Sequence, residues 1–248
     1  MLNQQTMARL QSLGLQGMLR ALNRQLDDPS IQKLNFDERF ALLLDAETGD
    51  REGRKIERLL KAAKMRQANA CLEDVDYRAS RGIDPAQVAS LGDCAWITRR
   101  QNLVLTGLTG TGKSWLACAF GQQACRLGIA TYYTTATRLF EELSICRTDG
   151  TLAKKRRQLS KLPLLILDDL GIGGIDPQIG PILLEIFDQQ SQEGALIITS
   201  QYPPEKWYDL FGDPTIADAI LDRVVHRSHS VNLKGESMRK VREKKEEK

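Results

Sequence analysis

Apolar positions fall into two textures along the chain. Over residues 1 to about 75 they recur at helical spacing: Met7, Leu10, Leu13, Leu15, Met18, Leu19 and Leu22 form one run, and Asp27-Asp28-Pro29-Ser30 interrupts it. Asn35 or Asp37 is placed to cap a second helix through Phe40 and Leu42-Leu43-Leu44, and a third is predicted from about Arg51 to Cys71. Few β-branched residues occur there, so the region reads as a small all-α domain.

From Asn102 the texture changes to short apolar runs separated by helical stretches. Leu103-Val104-Leu105, Ile129 to Tyr133, Leu164 to Leu167, Ala195 to Thr199 and Val231-Asn232-Leu233 read as strands. Helices are predicted from Lys113 to about Leu127, through Leu139 and Leu143, and from about Gln178 to Gln192. Strands alternating with helices imply an α/β fold whose parallel sheet is covered on both faces. Residues 76–100 collect Gly82, Pro85 and Gly92 and read as a linker, 101–240 as the α/β domain, and 241–248 as a charged tail.

The chemistry is concentrated in the second part. Gly107-Leu108-Thr109-Gly110-Thr111-Gly112-Lys113-Ser114 matches G-x-x-x-x-G-K-[ST], with a strand before it and a helix after it. The glycines allow backbone N–H groups to turn inward on phosphate oxygens, and the helix start adds its positive dipole end. Lys113 would reach the β and γ phosphates of ATP, the Ser114 hydroxyl would ligate Mg2+, and Trp115 completes the nucleotide-binding stretch. Leu164 to Leu167 ends in Asp168-Asp169, which sets Asp168 at the sheet edge as a magnesium acid and Asp169 beside it to activate water. Thr199-Ser200-Gln201 closes the fourth strand with polar groups.

Composition narrows the class without fixing it. With 42% hydrophobic and 27% charged residues the chain can build a core. No apolar run approaches a membrane span, and no basic stretch followed by an apolar one marks the start as a secretory signal. Five cysteines without a C-x-x-C pair argue against a disulfide framework or a zinc site and point to a reducing cytoplasm. The net charge of +3 averages unlike segments. Arg51, Arg54, Lys55, Arg58, Lys61, Lys64 and Arg66 make a basic stripe opposed by Glu52 and Glu57, and Lys154-Lys155-Arg156-Arg157 makes a second cluster. Without interleaved aromatic residues, both suit duplex DNA backbone better than stacked single strands.

With these pieces placed, the sequence resembles the IstB family of insertion-sequence helper ATPases, AAA+ proteins close to the DnaC-type helicase loaders. The resemblance rests on the phosphate loop and on L-I-L-D-D-L-G at 165–171. It extends to I-T-S-Q-Y-P-P-E-K-W at 198–207, D-P-T-I-A-D-A-I-L-D-R-V-V-H at 213–226 and L-K-G-E-S-M-R at 233–239. It implies an AAA+ ATPase that forms homo-oligomers on duplex DNA, remodels it and delivers a cognate transposase. By the family pattern Asp168 would be the magnesium acid and Asp169 the catalytic acid. Ser200, or less surely Gln201, would be the first sensor, Arg223 an arginine finger entering a neighbour's ATP site, and Arg239 a second sensor or a nucleotide-contacting arginine. A helicase loader shares this engine with a different client. A small-molecule phosphotransferase shares only the loop, and Asp168-Asp169, the Arg223 segment and the basic stripe weigh against it.

Overall fold

The computed structural model describes residues 2–78 and 81–238. It divides into two compact units, Met1–Arg58 and Leu59–Lys248.

The first unit holds α1 (Leu2–Ser12), α2 (Gln16–Asp27) and most of α3 (Phe36–Ala63). The single apolar run expected over Met7 to Leu22 is two helices, because Gly14 adopts φ +71 and ends the first. Conversely, the two helices expected from 37 and from about 51 are one, ending at Ala63 and not at Cys71, since nothing between Leu44 and Arg51 breaks the hydrogen-bond ladder. The second helix start is anchored from outside itself. Gly17 N and Met18 N donate to Glu47 Oε2 at 2.9 and 3.3 Å, so a carboxylate on α3 satisfies donors that α2 cannot. A Cβ at Gly17 would run into the Ala46 carbonyl and lie 2.6 Å from Glu47 Cα, which is why glycine stands at this crossing.

The second unit is built on a parallel sheet of order β2-β3-β4-β1-β5. Its strands are β1 (Asn102–Gly107), β2 (Thr131–Thr135), β3 (Leu164–Leu170), β4 (Ala195–Ser200) and β5 (Ser228–Leu233). All five overlap the apolar runs read from the sequence, with β2 beginning two residues later than expected and β5 three residues earlier. Alternate residues face opposite sides: Leu103, Leu105, Ile166 and Ile197 enter one core with α6 (Lys113–Arg126), while Val104, Leu165, Leu167 and Ile198 enter the other. The second core is covered by α7 (Ala136–Thr148), α8 (Leu152–Ser160), α9 (Gly180–Glu193) and α10 (Pro214–Val225).

The stretch 76–100, expected as a linker, is part of this packing. It contains α4 (Pro85–Leu91) and α5 (Ala95–Thr98), and it buries Val88, Leu91, Trp96 and Ile97. Its apparent breakers are helix punctuation. Asp84 accepts from Ala86 N at 2.9 Å, Pro85 occupies the first turn, and Gly92 closes the helix.

The topology sets the site. Strand β4 lies between β3 and β1, with Ser200 in register with Thr106 on one side and Leu170 on the other. The chain leaves β1 for the far edge of the sheet, so a crevice opens where the ends of β1, β4 and β3 meet.

Candidate nucleotide site

The loop after β1 is shaped by glycine at positions no side chain tolerates. Gly107, Gly110 and Gly112 have φ of +143, +85 and +96. A Cβ on Gly107 would collide with Leu233 O, and one on Gly112 would lie 2.9 Å from Arg81 Nη2. Lys113 is 5% exposed, and its Nζ donates to Gly107 O at 2.9 Å and Leu108 O at 3.1 Å. Burial lowers its pKa, with Asp169 and then Asp168 pulling the other way. The ammonium therefore rests on neutral carbonyls and is available to a stronger anionic acceptor.

A cavity of about 410 Å³ opens beside the loop. Thr109, Gly110, Gly112, Lys113, Ser114 and Trp115 line one side, and Asp169 and Gln201 line it from the ends of β3 and β4. Most of the loop stretch expected to bind nucleotide thus shares one cavity with the second acid; Gly107, Leu108 and Thr111 are not among its lining residues, Leu108 being 73% exposed and Thr111 buried.

The paired acids differ sharply. Asp168 is fully buried, with Tyr133 Oη donating to Oδ2 at 2.5 Å and Thr199 Oγ1 donating to Oδ1 at 2.5 Å. Thr199 Oγ1 also accepts from Asp169 N at 2.8 Å. Burial, reinforced by the hydrogen bond to Asp168, pushes the Tyr133 phenol well up, so it stays a donor. Asp169 holds a left-handed φ of +62, a conformation unusual for a side-chain-bearing residue, and of the paired acids it is the one that lines the cavity. Asp168, expected to hold magnesium through water, is not among the residues lining the cavity. A carboxylate has about four acceptor directions, so the two hydroxyls leave capacity for a metal-bound water. Together with the Ser114 hydroxyl this is a hard oxygen set that fits Mg2+.

Of the two residues expected as first sensor, Ser200 or less surely Gln201, only Gln201 lines the cavity. Ser200 is fully buried, its hydroxyl donating to Leu170 O at 2.8 Å and accepting from Tyr202 N at 3.2 Å, while Gln201 reaches the cavity. Strand alternation turns neighbouring residues to opposite sides, and the sheet pairing spends Ser200 on β3.

Over residues 8–246 the sequence matches the family described as IstB-like ATP binding protein. The chain belongs to that family. Among relatives of this IstB-like chain, the insertion sequence ATP-binding protein y4pL of Sinorhizobium fredii is 41% identical, covering 99% of this chain and 100% of the relative. An ATP-binding protein of insertion sequence IS1162 from Pseudomonas fluorescens is 44% identical over 82% of this chain and 88% of its own. Among solved structures, DnaI aligns with a TM-score of 0.58 at 20% identity, covering 71% of this chain and 93% of that one. AMPPCP-bound DnaA from Aquifex aeolicus gives 0.58 at 20%, covering 73% and 55%. These structural likenesses establish the AAA+ P-loop fold. The IstB-like chain is thus an ATP-binding protein of the insertion-sequence kind.

The remaining expected residues of the IstB-like chain lie elsewhere. Arg223 on α10 donates to Asp188 Oδ1 at 2.6 Å and Ala219 O at 2.9 Å, outside the cavity. Asn102 fixes that helix end, donating to Arg223 O and Val224 O while accepting from Leu196 N. Arg239 lies outside the described residues. The basic stripe is more compensated than its sequence suggests. Arg51 pairs with Glu47 at 2.7 Å and Arg54 with Asp50 at 2.8 Å, while Arg20 also pairs with Asp50. Lys55 and Arg58 line a shallow pocket with Arg51 and Arg54, Lys61 is exposed, Lys64 ends α3 at φ +54, and Arg66 lines the nucleotide cavity. In the second cluster Lys155 pairs with Glu142 at 2.6 Å and Arg156 with Glu185, leaving Lys154 and Arg157 as its exposed members. Among the described residues, no helix is long and apolar enough to cross a membrane.

Sequence reasoning missed the cavity's other wall, formed by Asp74, Asp76, Arg81 and Met238. No local pattern separates these from surface residues: packing around α4 and α5 brings Asp74, Asp76 and Arg81 to the loop, and Met238 reaches it from the segment after β5, its N–H donating to Gly110 O at 2.8 Å.

Proposed function

We propose that this IstB-like protein is a magnesium-dependent ATPase that assembles on duplex DNA when ATP is bound and serves a transposase. The observation that carries the reading is one cavity holding Lys113, Ser114, Asp169 and Gln201. These are the groups needed to bind a triphosphate and to direct a water onto it. The names of the relatives, which place ATP-binding proteins in insertion sequences, support the transposition side.

Backbone N–H groups of 107–113 hold the phosphates, and Lys113 exchanges its loop carbonyls for phosphate oxygens. Ser114 and, across water, Asp168 would hold magnesium, which when bound neutralises phosphate charge. Asp169 orients the attacking water and accepts its proton, and Gln201 fixes the same water or reads the γ-phosphate. Arg223 leaves Asp188 to complete a neighbouring subunit's site, stabilising charge as phosphoryl transfer proceeds. Lys55, Arg58, Lys61, Lys154 and Arg157 meet DNA phosphates, with little base specificity. Arg51, Arg54, Lys64, Lys155 and Arg156 add to this binding, more weakly where they are already paired.

The test is electron microscopy of the protein with duplex DNA and a non-hydrolysable ATP analogue. Rings or short spirals on DNA, absent with Lys113→Ala, are expected; monomers under saturating analogue would overturn assembly.

A further inference from the structure

Arg81 is a cation placed where burial is costly. It is 8% exposed and lines the same cavity as Lys113 and Ser114. Its Nη2 donates to Thr111 O at 2.6 Å and its Nη1 to Asp76 O at 3.3 Å. Both acceptors are neutral carbonyls, and no ion pair to Arg81 forms among the described residues; the nearby Asp76 carboxylate, already paired with Arg78, favours the charged guanidinium but does not offset its burial. A buried cation that shares its nearby carboxylate with another arginine is incompletely compensated, and a ligand anion would complete it. A guanidinium carries five donors in a rigid fork suited to phosphate, so these two bonds leave donors for an anion.

The surroundings say which anion. Gly112, the loop residue before Lys113, has no side chain where the Arg81 guanidinium passes. Arg81 lines the cavity together with Asp74 and Asp76, whereas Asp169 and Gln201 line it from the ends of β3 and β4. Its own carbonyl accepts from Lys234 N at 2.8 Å, and Met238 N donates to Gly110 O at 2.8 Å, so the segment after β5 braces the same loop.

Building on the ATP-site reading above, we propose that Arg81 is a nucleotide-binding residue that contacts the diphosphate portion common to ATP and ADP. It is the counter-charge at the end of the site away from the hydrolytic acid. It thereby sets affinity for both nucleotides and contributes little to the hydrolytic step.

Arg81→Gln and Arg81→Lys, with Lys113→Ala as the site control, are titrated with ATP, ADP and adenosine, and their melting is recorded without nucleotide. The expected result for Arg81→Gln is about 10- to 100-fold weaker binding of ATP and ADP alike. Adenosine binding is unchanged, and Arg81→Lys falls in between. Hydrolysis at saturating ATP stays near the parent rate, so the effect falls on KM. Where Arg81→Gln does not fold, the charge-preserving Arg81→Lys carries the test, with weaker ATP and ADP binding but unchanged adenosine binding. Parent-like ATP and ADP affinity in the folded variants overturns the proposal. So does equal weakening of adenosine, which would make Arg81 a brace of the cavity wall. Unaltered ATP affinity in Lys113→Ala would instead strike at the ATP-site reading itself.

Discussion

The Thr199 hydroxyl donates to Asp168 Oδ1 at 2.5 Å while accepting from the backbone N–H of the following acid, Asp169, at 2.8 Å. One hydroxyl on β4 therefore fixes a buried carboxylate and the left-handed turn that delivers its neighbour to the cavity.

Replacing Thr199 by Val removes both hydrogen bonds while preserving shape. Asp168 keeps only the Tyr133 donor among its two side-chain partners, and the expected loss of stability is about 1–3 kcal/mol. ATP hydrolysis should fall at least about ten-fold with ATP affinity nearly unchanged, because the acid is mispositioned while the loop is intact. Thr199→Ser should retain most activity. Thermal melts and steady-state kinetics check both, and parent-like hydrolysis in Thr199→Val would dismiss the positioning role.

The first helical unit should respond to acid through Glu47. Its hydrogen bond with Arg51, opposed by burial and aided by Met18 N and Gly17 N, holds its carboxyl below the ordinary value of 4.5. A lowered folded pKa means the stabilisation is present above that value and is lost as pH falls through the folded pKa. Glu47→Gln should therefore melt earlier than the parent at neutral pH, with the difference vanishing in strongly acidic solution. Helical circular dichroism followed across pH checks this, and a constant gap would contradict it.

Charge reversal at Lys55 and Arg58 should weaken DNA binding and flatten its dependence on salt by about 0.9 in log–log slope for each phosphate no longer neutralised. The effect should exceed that of reversing Arg51 or Arg54, whose charges are already engaged by Glu47 and Asp50. Anisotropy titrations of labelled duplex over a salt series provide the measurement.

Arg223→Ala should leave ATP binding intact and reduce hydrolysis by about 10³-fold, the lower range for a supplied arginine. The loss should appear only under conditions where subunits assemble. Mixing Arg223→Ala with Lys113→Ala subunits separates the roles: partial activity returns if the arginine acts on a neighbour, and none returns if it acts within its own chain.

The phosphate loop is legible in the sequence because its residues are contiguous and its chemistry needs glycine at fixed spacing. The strands are legible because buried parallel strands are short apolar runs. Asp168 and Asp169 stand out as a pair, but their division of labour depends on Tyr133 and Thr199, which reach them from two other strands. Gln201 differs from Ser200 only by strand parity, which a one-residue uncertainty in the strand end conceals. Arg81 and the 76–100 segment escape a sequence reading for a related reason. Pro85 and Gly92 look like loop residues until Asp84 and the buried face of Val88 and Leu91 show a helix between them. The basic stripe looks stronger in sequence than in the fold because Glu47 and Asp50, one turn before it, fold back onto its arginines.

The most direct measurement is single-turnover ATP hydrolysis by Asp169→Asn, with ATP affinity and DNA-bound assembly recorded on the same samples. ATP should bind with parent affinity, hydrolysis should drop by about 10²-fold or more, and the oligomer should persist on DNA. Hydrolysis at the parent rate would contradict the account, removing Asp169 as the acid that activates water.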